Sequence, residues 1–108
     1  MAAYNDMSIT ADHLLQETSK VLVDRNRNRA STPDRLMPLI ITVFNDLTGR
    51  NLSVGEGFLF MMILKMSRIT GGKGSNAIQR YCRDDYIDLC GYAALMAEHL
   101  EAELEDNC

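Results

Sequence analysis

Ser53-Val-Gly-Glu-Gly-Phe-Leu-Phe-Met-Met-Ile-Leu-Lys-Met-Ser-Arg-Ile69 is the stretch on which the fold turns. Ser53 and Glu56 stand at the capping-box spacing. The serine oxygen can take the backbone N–H three residues on, and the glutamate can reach back to the serine N–H. From Phe58 to Ile69 the residues are then apolar on nearly every side, interrupted by Lys65, Ser67 and Arg68. A start signal of this kind followed by such a run predicts a helix enclosed by several neighbours. In a chain of 108 residues, which can bury one core but not two, some of those neighbours can belong to another subunit.

Three further helices are predicted on either side. Residues 11–24 carry Leu14, Leu15, Val21 and Leu22 between polar positions, the pattern of an amphipathic helix. The following Arg25-Asn-Arg-Asn-Arg29 has no apolar period, so a basic loop is expected over 25–31. Thr32-Pro33-Asp34 is a helix start, with a capping hydroxyl, a proline preset for the first turn and an acid at the positive end of the dipole. Leu36, Leu39, Ile40, Val43, Phe44 and Leu47 recur at three and four, and Thr48-Gly49 supplies the stop. Pro38 marks a kink or the true beginning. Beyond the apolar helix, a Gly-rich loop covers 71–75. A last helix is expected from Asp84 or Asp85 through Leu100, ahead of an acidic tail over 101–108. The reading is one all-α domain over 1–108, a compact four-helix, bundle-like unit that self-associates.

Composition narrows the function. A net charge of −4 sets the chain apart from general nucleic-acid binders, which need a broad basic face. Cys82, Cys90 and Cys108 are odd in number and lack CxxC spacing, so neither a disulfide framework nor a zinc site is expected. The start MAAYNDMSIT has no basic segment before an apolar one, and Gly57 to Leu64 is too short to span a bilayer. These features predict a cytoplasmic protein with no membrane partner. Gly71-Gly-Lys-Gly-Ser75 lacks the spacing and the preceding strand of a phosphate-binding P-loop. His13 and His99 have no ligand spacing and are expected on helix surfaces, while Cys90 is expected as a small core residue.

The candidate chemistry joins the last two helices. Lys65 and Arg68 share one helical face, as do Asp85, Asp88 and Tyr92 on the other helix. Asp88 sits between Ile87 and Leu89, where an ionised carboxylate is costly unless paired or metal-bound. Two readings are open. In one, Asp88 pairs with Lys65 or Arg68 and orients the helices; in the other, the carboxylates hold Mg²⁺ and the cations meet phosphate. Arg25, Arg27 and Arg29, with Arg35, can grip phosphates or simply be solvated. Gly91 inside a helix costs about 1 kcal/mol relative to Ala, which points to close helix approach or to ligand access beside Tyr92.

The apolar run ending Lys65-Met-Ser-Arg68, with the later Asp84-Asp-Tyr-Ile-Asp-Leu-Cys-Gly-Tyr-Ala-Ala-Leu95, resembles a family of small phage and prophage proteins of unassigned function. That family is similar to the MazG-like all-α nucleotide pyrophosphatases and to nucleotide-modification-associated phage domains. The resemblance covers roughly residues 20–100. It implies Mg²⁺ held by paired acidic residues, and Asp85-Tyr-Ile-Asp88 can stand for one pair. The other pair has no counterpart, because the matching helix offers Lys65 and Arg68 with only Glu56 at its start. Asn28-Arg29-Ala30 also stands where that family's Asp-Tyr-Gly is expected. The resemblance thus implies a nucleotide or phosphate-metabolite binder in a bacterial host's cytosol, with Lys65, Arg68, Tyr92, Arg25 and Arg29 as ligand contacts and Asp85 and Asp88 as metal ligands. Mg²⁺-dependent pyrophosphatase-like or phosphoryl-transfer chemistry and binding without catalysis both remain open, and no catalytic residue is assigned. The alternatives are a phage accessory or host-takeover protein acting on a host protein, and an oligomeric sponge for a nucleotide signal.

Overall fold

The capping box forms as its spacing requires. In the computed structural model, which describes residues 9–28, 33–71 and 81–104, the Glu56 N–H donates to Ser53 Oγ at 3.1 Å and the Ser53 N–H donates to Glu56 Oε1 at 2.8 Å. These bonds start the central helix. The element order is α1 (Ala11–Asn28), α2 (Pro33–Thr48), α3 (Val54–Ile69) and α4 (Arg83–Glu103). The fold is all-α, and among the described residues there is no strand. No described helix is long and apolar enough to cross a membrane.

Two boundaries differ from the sequence reading. α1 does not stop at Asp24 but runs on to Asn28, so the first four residues of the expected basic loop are helical. The physical reason is long-range: Arg25 is tied to Asp88, 63 residues away, and that anchor favours another turn despite the missing apolar period. α4 begins at Arg83, with Asp84 and Asp85 in its first turn beside the positive end of the dipole. It continues through Glu103, so the start of the expected acidic tail is helical and exposed.

α3 ends at a local stop. The Gly71 N–H donates to the Arg68 carbonyl, and Gly71 takes φ 82°, a conformation open to glycine because it lacks a Cβ. Of the Gly-rich loop over 71–75, only Gly71 lies within the described residues.

The core is formed by Met37 and Ile41 of α2, Phe58 of α3, and Tyr92 and Leu95 of α4, with Leu22 of α1 packed against it. α4 packs on both α3 and α1, while α2 rests mainly on α3. The approach of α2 to α3 depends on Gly57. A Cβ there would lie 2.6 Å from Met37 Sδ and 2.8 Å from Ile41 Cδ1.

Neither apolar helix is enclosed. α2 turns Met37 and Ile41 inward and presents much of the stripe read from its periodicity to solvent, with Leu39, Ile40, Val43, Phe44 and Leu47 exposed. The sequence pattern is regular, but it marks a second apolar face rather than the one in the core. On α3, Leu59, Phe60, Ile63, Leu64 and Met66 are likewise exposed. Within one chain, α3 therefore has fewer neighbours than its composition suggests.

Candidate functional site

Helical spacing aligns the charged residues. Lys65 and Arg68 lie one turn apart on α3, Asp85 and Asp88 one turn apart on α4, and the packing of α3 on α4 sets these rows opposite each other. Asp88 is the hub. Its Oδ2 lies 3.0 Å from Lys65 Nζ, and its Oδ1 accepts from an Arg25 guanidinium nitrogen of α1 at 2.8 Å. One carboxylate thereby joins three helices. Asp85 is 2% exposed, and its Oδ1 lies 3.1 Å from Arg68 Nε, a side chain that is itself 52% exposed.

Burial alone would raise the Asp88 pKa, because it penalises the charged form. Hydrogen bonds from Lys65 and then Arg25, with the attraction of both positive charges, outweigh that effect and hold the carboxyl below its ordinary value. Asp88 is a carboxylate at neutral pH, and it is neutralised by residues of its own chain.

The structure brings together Arg25, Lys65, Arg68, Asp85 and Asp88. The pairing differs in detail from the sequence expectation. Asp88 takes Lys65 and Arg25, Arg68 goes to Asp85, and the deepest carboxylate is Asp85. Tyr92, on the same face of α4, is buried in the core beside Phe58 and Leu95. The face carrying Asp85, Asp88 and Tyr92 is thus turned into the bundle. Arg29 lies outside the described residues. Among the described residues no group of three or more His, Cys, Asp or Glu side chains could hold a metal ion. Metal binding at Asp85 and Asp88 would require two carboxylates to give up their present cations.

Peripheral pairs add little. Arg83 of α4 meets Glu17 of α1 at 3.2 Å, and Arg35 of α2 lies 3.6 Å from Glu98 of α4, all with well-exposed side chains. Such surface pairs contribute at most about 1 kcal/mol each. Cys90 is half-buried with a free thiol, and Gly91 is buried against Leu22 and Thr18 of α1. Gly91 does face α1, but a Cβ there would meet Leu22 Cδ2 at 3.6 Å, an ordinary contact, so this helix approach does not require a glycine.

A second feature lies apart from the charged residues. Ile40 and Phe44 of α2, Leu52 of the connection, and Gly57, Phe60 and Met61 of α3 line a groove of about 290 Å³. Its walls are apolar, and it lies between the outward faces of α2 and α3. Its signal was present in the sequence as an α2 stripe and an α3 too apolar for one chain to cover. No protein-family model, curated protein or solved structure matches the chain.

Proposed function

We propose that the chain is a non-catalytic interaction protein that docks another polypeptide through the outward face of α2 and α3. The observation that carries this reading is the distribution of apolar surface. Of the fifteen large apolar side chains left exposed among the described residues, eleven lie on α2, α3 or the connection between them. At about 150–200 Å² for each side chain when fully exposed, their fractional exposures amount to roughly 1,000 Å². The largest apolar patch on a typical monomer is about 300–600 Å². The part around the groove, from Ile40 to Leu52 and from Phe60 to Leu64, accounts for roughly 700 Å² of that total, still above the usual range and characteristic of a docking site.

The ionic cluster has a different role in this reading. Arg25, Lys65 and Arg68 each engage a carboxylate, so an incoming phosphate would have to compete with Asp85 or Asp88. The cluster holds α1, α3 and α4 in register and lets α2 and α3 present their apolar faces. The phosphate-binding alternative rests on the half-exposed guanidinium of Arg68.

Calorimetric titration with nucleoside triphosphates and inorganic pyrophosphate, with and without Mg²⁺, separates these readings. The expected outcome is no binding heat and no phosphate release. Binding that is lost in Arg68→Ala would overturn the interaction reading and restore a nucleotide site.

A further inference from the structure

The α2–α3 face has a regular geometry. Leu36, Ile40, Val43 and Leu47 are spaced four, three and four apart, the spacing of a coiled-coil seam, and it recurs on the side of α2 that its own chain leaves largely uncovered. The face also carries almost no charge. Asp46 is the single charged residue between Arg35 and Thr48, and it lies three residues from Val43 and seven from Leu39, at the edge of the exposed stripe. On α3, Lys65 and Arg68 are turned to α4, and Glu56 is held at the Ser53 N–H. Glu56, exposed and one turn before Phe60, is the other acid near this face, so two copies of a chain with net charge −4 meet here with Glu56 and Asp46 kept at the rim. A charge-selected peptide would find only those two acids to read, both at the edge of an apolar seam.

Size points to the same occupant. A standard interface takes about 800 Å² from each partner, and the exposed apolar side chains from Ile40 to Leu52 and from Phe60 to Leu64 supply roughly 700 Å², close to that requirement. A patch that meets itself about a twofold axis buries the same area on both sides, so no separate complementary surface is needed.

We infer that this face is closed by a second copy of the chain, with α2 and α3 of one protomer against α2 and α3 of the other around Phe60, Phe44 and Leu47. The inference rests on the docking reading above and names its partner. The grooves then become the core of the dimer, and the charged clusters stay on its flanks.

Light scattering and sedimentation on the full chain test this, with a mass of twice 12.1 kDa expected at micromolar concentration. Phe60 and Leu47 are 67% and 81% exposed, so charged replacements there spare the monomer core. Phe60→Asp and Leu47→Glu should each raise the dissociation constant by about 30-fold or more, as expected of a central interface residue, with the circular dichroism of a helical chain retained. Leu15→Asp, an exposed apolar position on α1, should leave the dimer intact. A wild-type dimer indifferent to Phe60→Asp and Leu47→Glu would overturn the inference. So would a wild-type chain that stays monomeric at all concentrations. In that case, saturable anilinonaphthalene sulfonate fluorescence lost in Phe60→Asp would leave the docking reading standing with a different occupant. A monomer that binds no dye would overturn both.

Discussion

Replacing Asp88 by Ala removes the hub shared by α1, α3 and α4, and its effect can be worked out from the two cations it leaves behind. Arg25 is about a third exposed and can turn into water, so losing its bond costs no more than about 1 kcal/mol. Lys65 differs, because its side chain is only 14% exposed and its ammonium would be left between α3 and α4 without the Asp88 carboxylate. An unsatisfied group of that kind costs about 1–3 kcal/mol. The sum, about 1–4 kcal/mol, is centred below the 3–5 kcal/mol of a fully buried broken pair because Asp88 retains some contact with water. It corresponds to a fall in Tm of roughly 4 °C or more for a domain near this size. Thermal unfolding at fixed protein concentration measures it, since association would otherwise move the midpoint. Adding Lys65→Met to Asp88→Ala should recover about 1 kcal/mol or more, because an apolar side chain needs no partner there. A shift for Asp88→Ala below about 2 °C, the size of an ordinary surface substitution, would refute the view that this carboxylate ties the helices together.

Two glycines should respond in opposite ways. Gly57→Ala puts a methyl group against Met37 and Ile41, and overpacking of about 1–3 kcal/mol set against a helix-propensity gain of about 1 kcal/mol leaves a net loss of up to about 2 kcal/mol, read by urea unfolding. Gly91→Ala meets Leu22 Cδ2 at 3.6 Å, an ordinary contact, so it should stabilise by up to about 1 kcal/mol; a destabilised Gly91→Ala would disprove the spacing of α1 and α4. Asp88 also sets a pH response. Because its folded pKa is lowered, its contribution is present above the unfolded value of about 3.9 and is lost as pH falls through the lower folded value. Acid titration of wild type and Asp88→Asn should accordingly converge in stability below that window and diverge above it; parallel curves would remove Asp88 from the acid response.

Much of the fold was legible because it is written locally. Ser53 and Glu56 fix the start of α3 within one turn, and Gly49 and Gly71, both with positive φ, stand where α2 and α3 stop. What sequence could not give was choice among partners. Arg25 looked like a loop residue because the run from Arg25 to Arg29 has no apolar period, and only the folded chain supplies Asp88 from 63 residues away. Both acidic positions were legible as candidates, but their depth depends on how α3 meets α4, and Asp85, not Asp88, became the more buried. The α2 periodicity was real and its direction was not. Met37 and Ile41 face inward because Gly57 leaves room for them, a fact about another helix. An apolar stripe states that water is to be excluded, without saying whether the cover comes from the same chain.

Asn45 gives the connection between α2 and α3 an unusual economy. Its side-chain amide donates to the Leu52 carbonyl at 3.0 Å, and its side-chain oxygen accepts the Leu52 N–H at 2.9 Å, so one residue offers the pair of bonds that a neighbouring β-strand would provide. The loop is closed at both ends as well, by the Gly49 N–H on the Asn45 carbonyl and by the capping box at Ser53. Leu52 is thereby fixed as one end wall of the apolar groove before anything enters it. Ordering a free side chain or loop segment at an interface costs about 0.5–1.5 kcal/mol for each rotamer-rich group immobilised. At this corner of the groove that entropy has already been given up when the helices fold, so a partner meets a surface whose shape does not have to be made during the encounter.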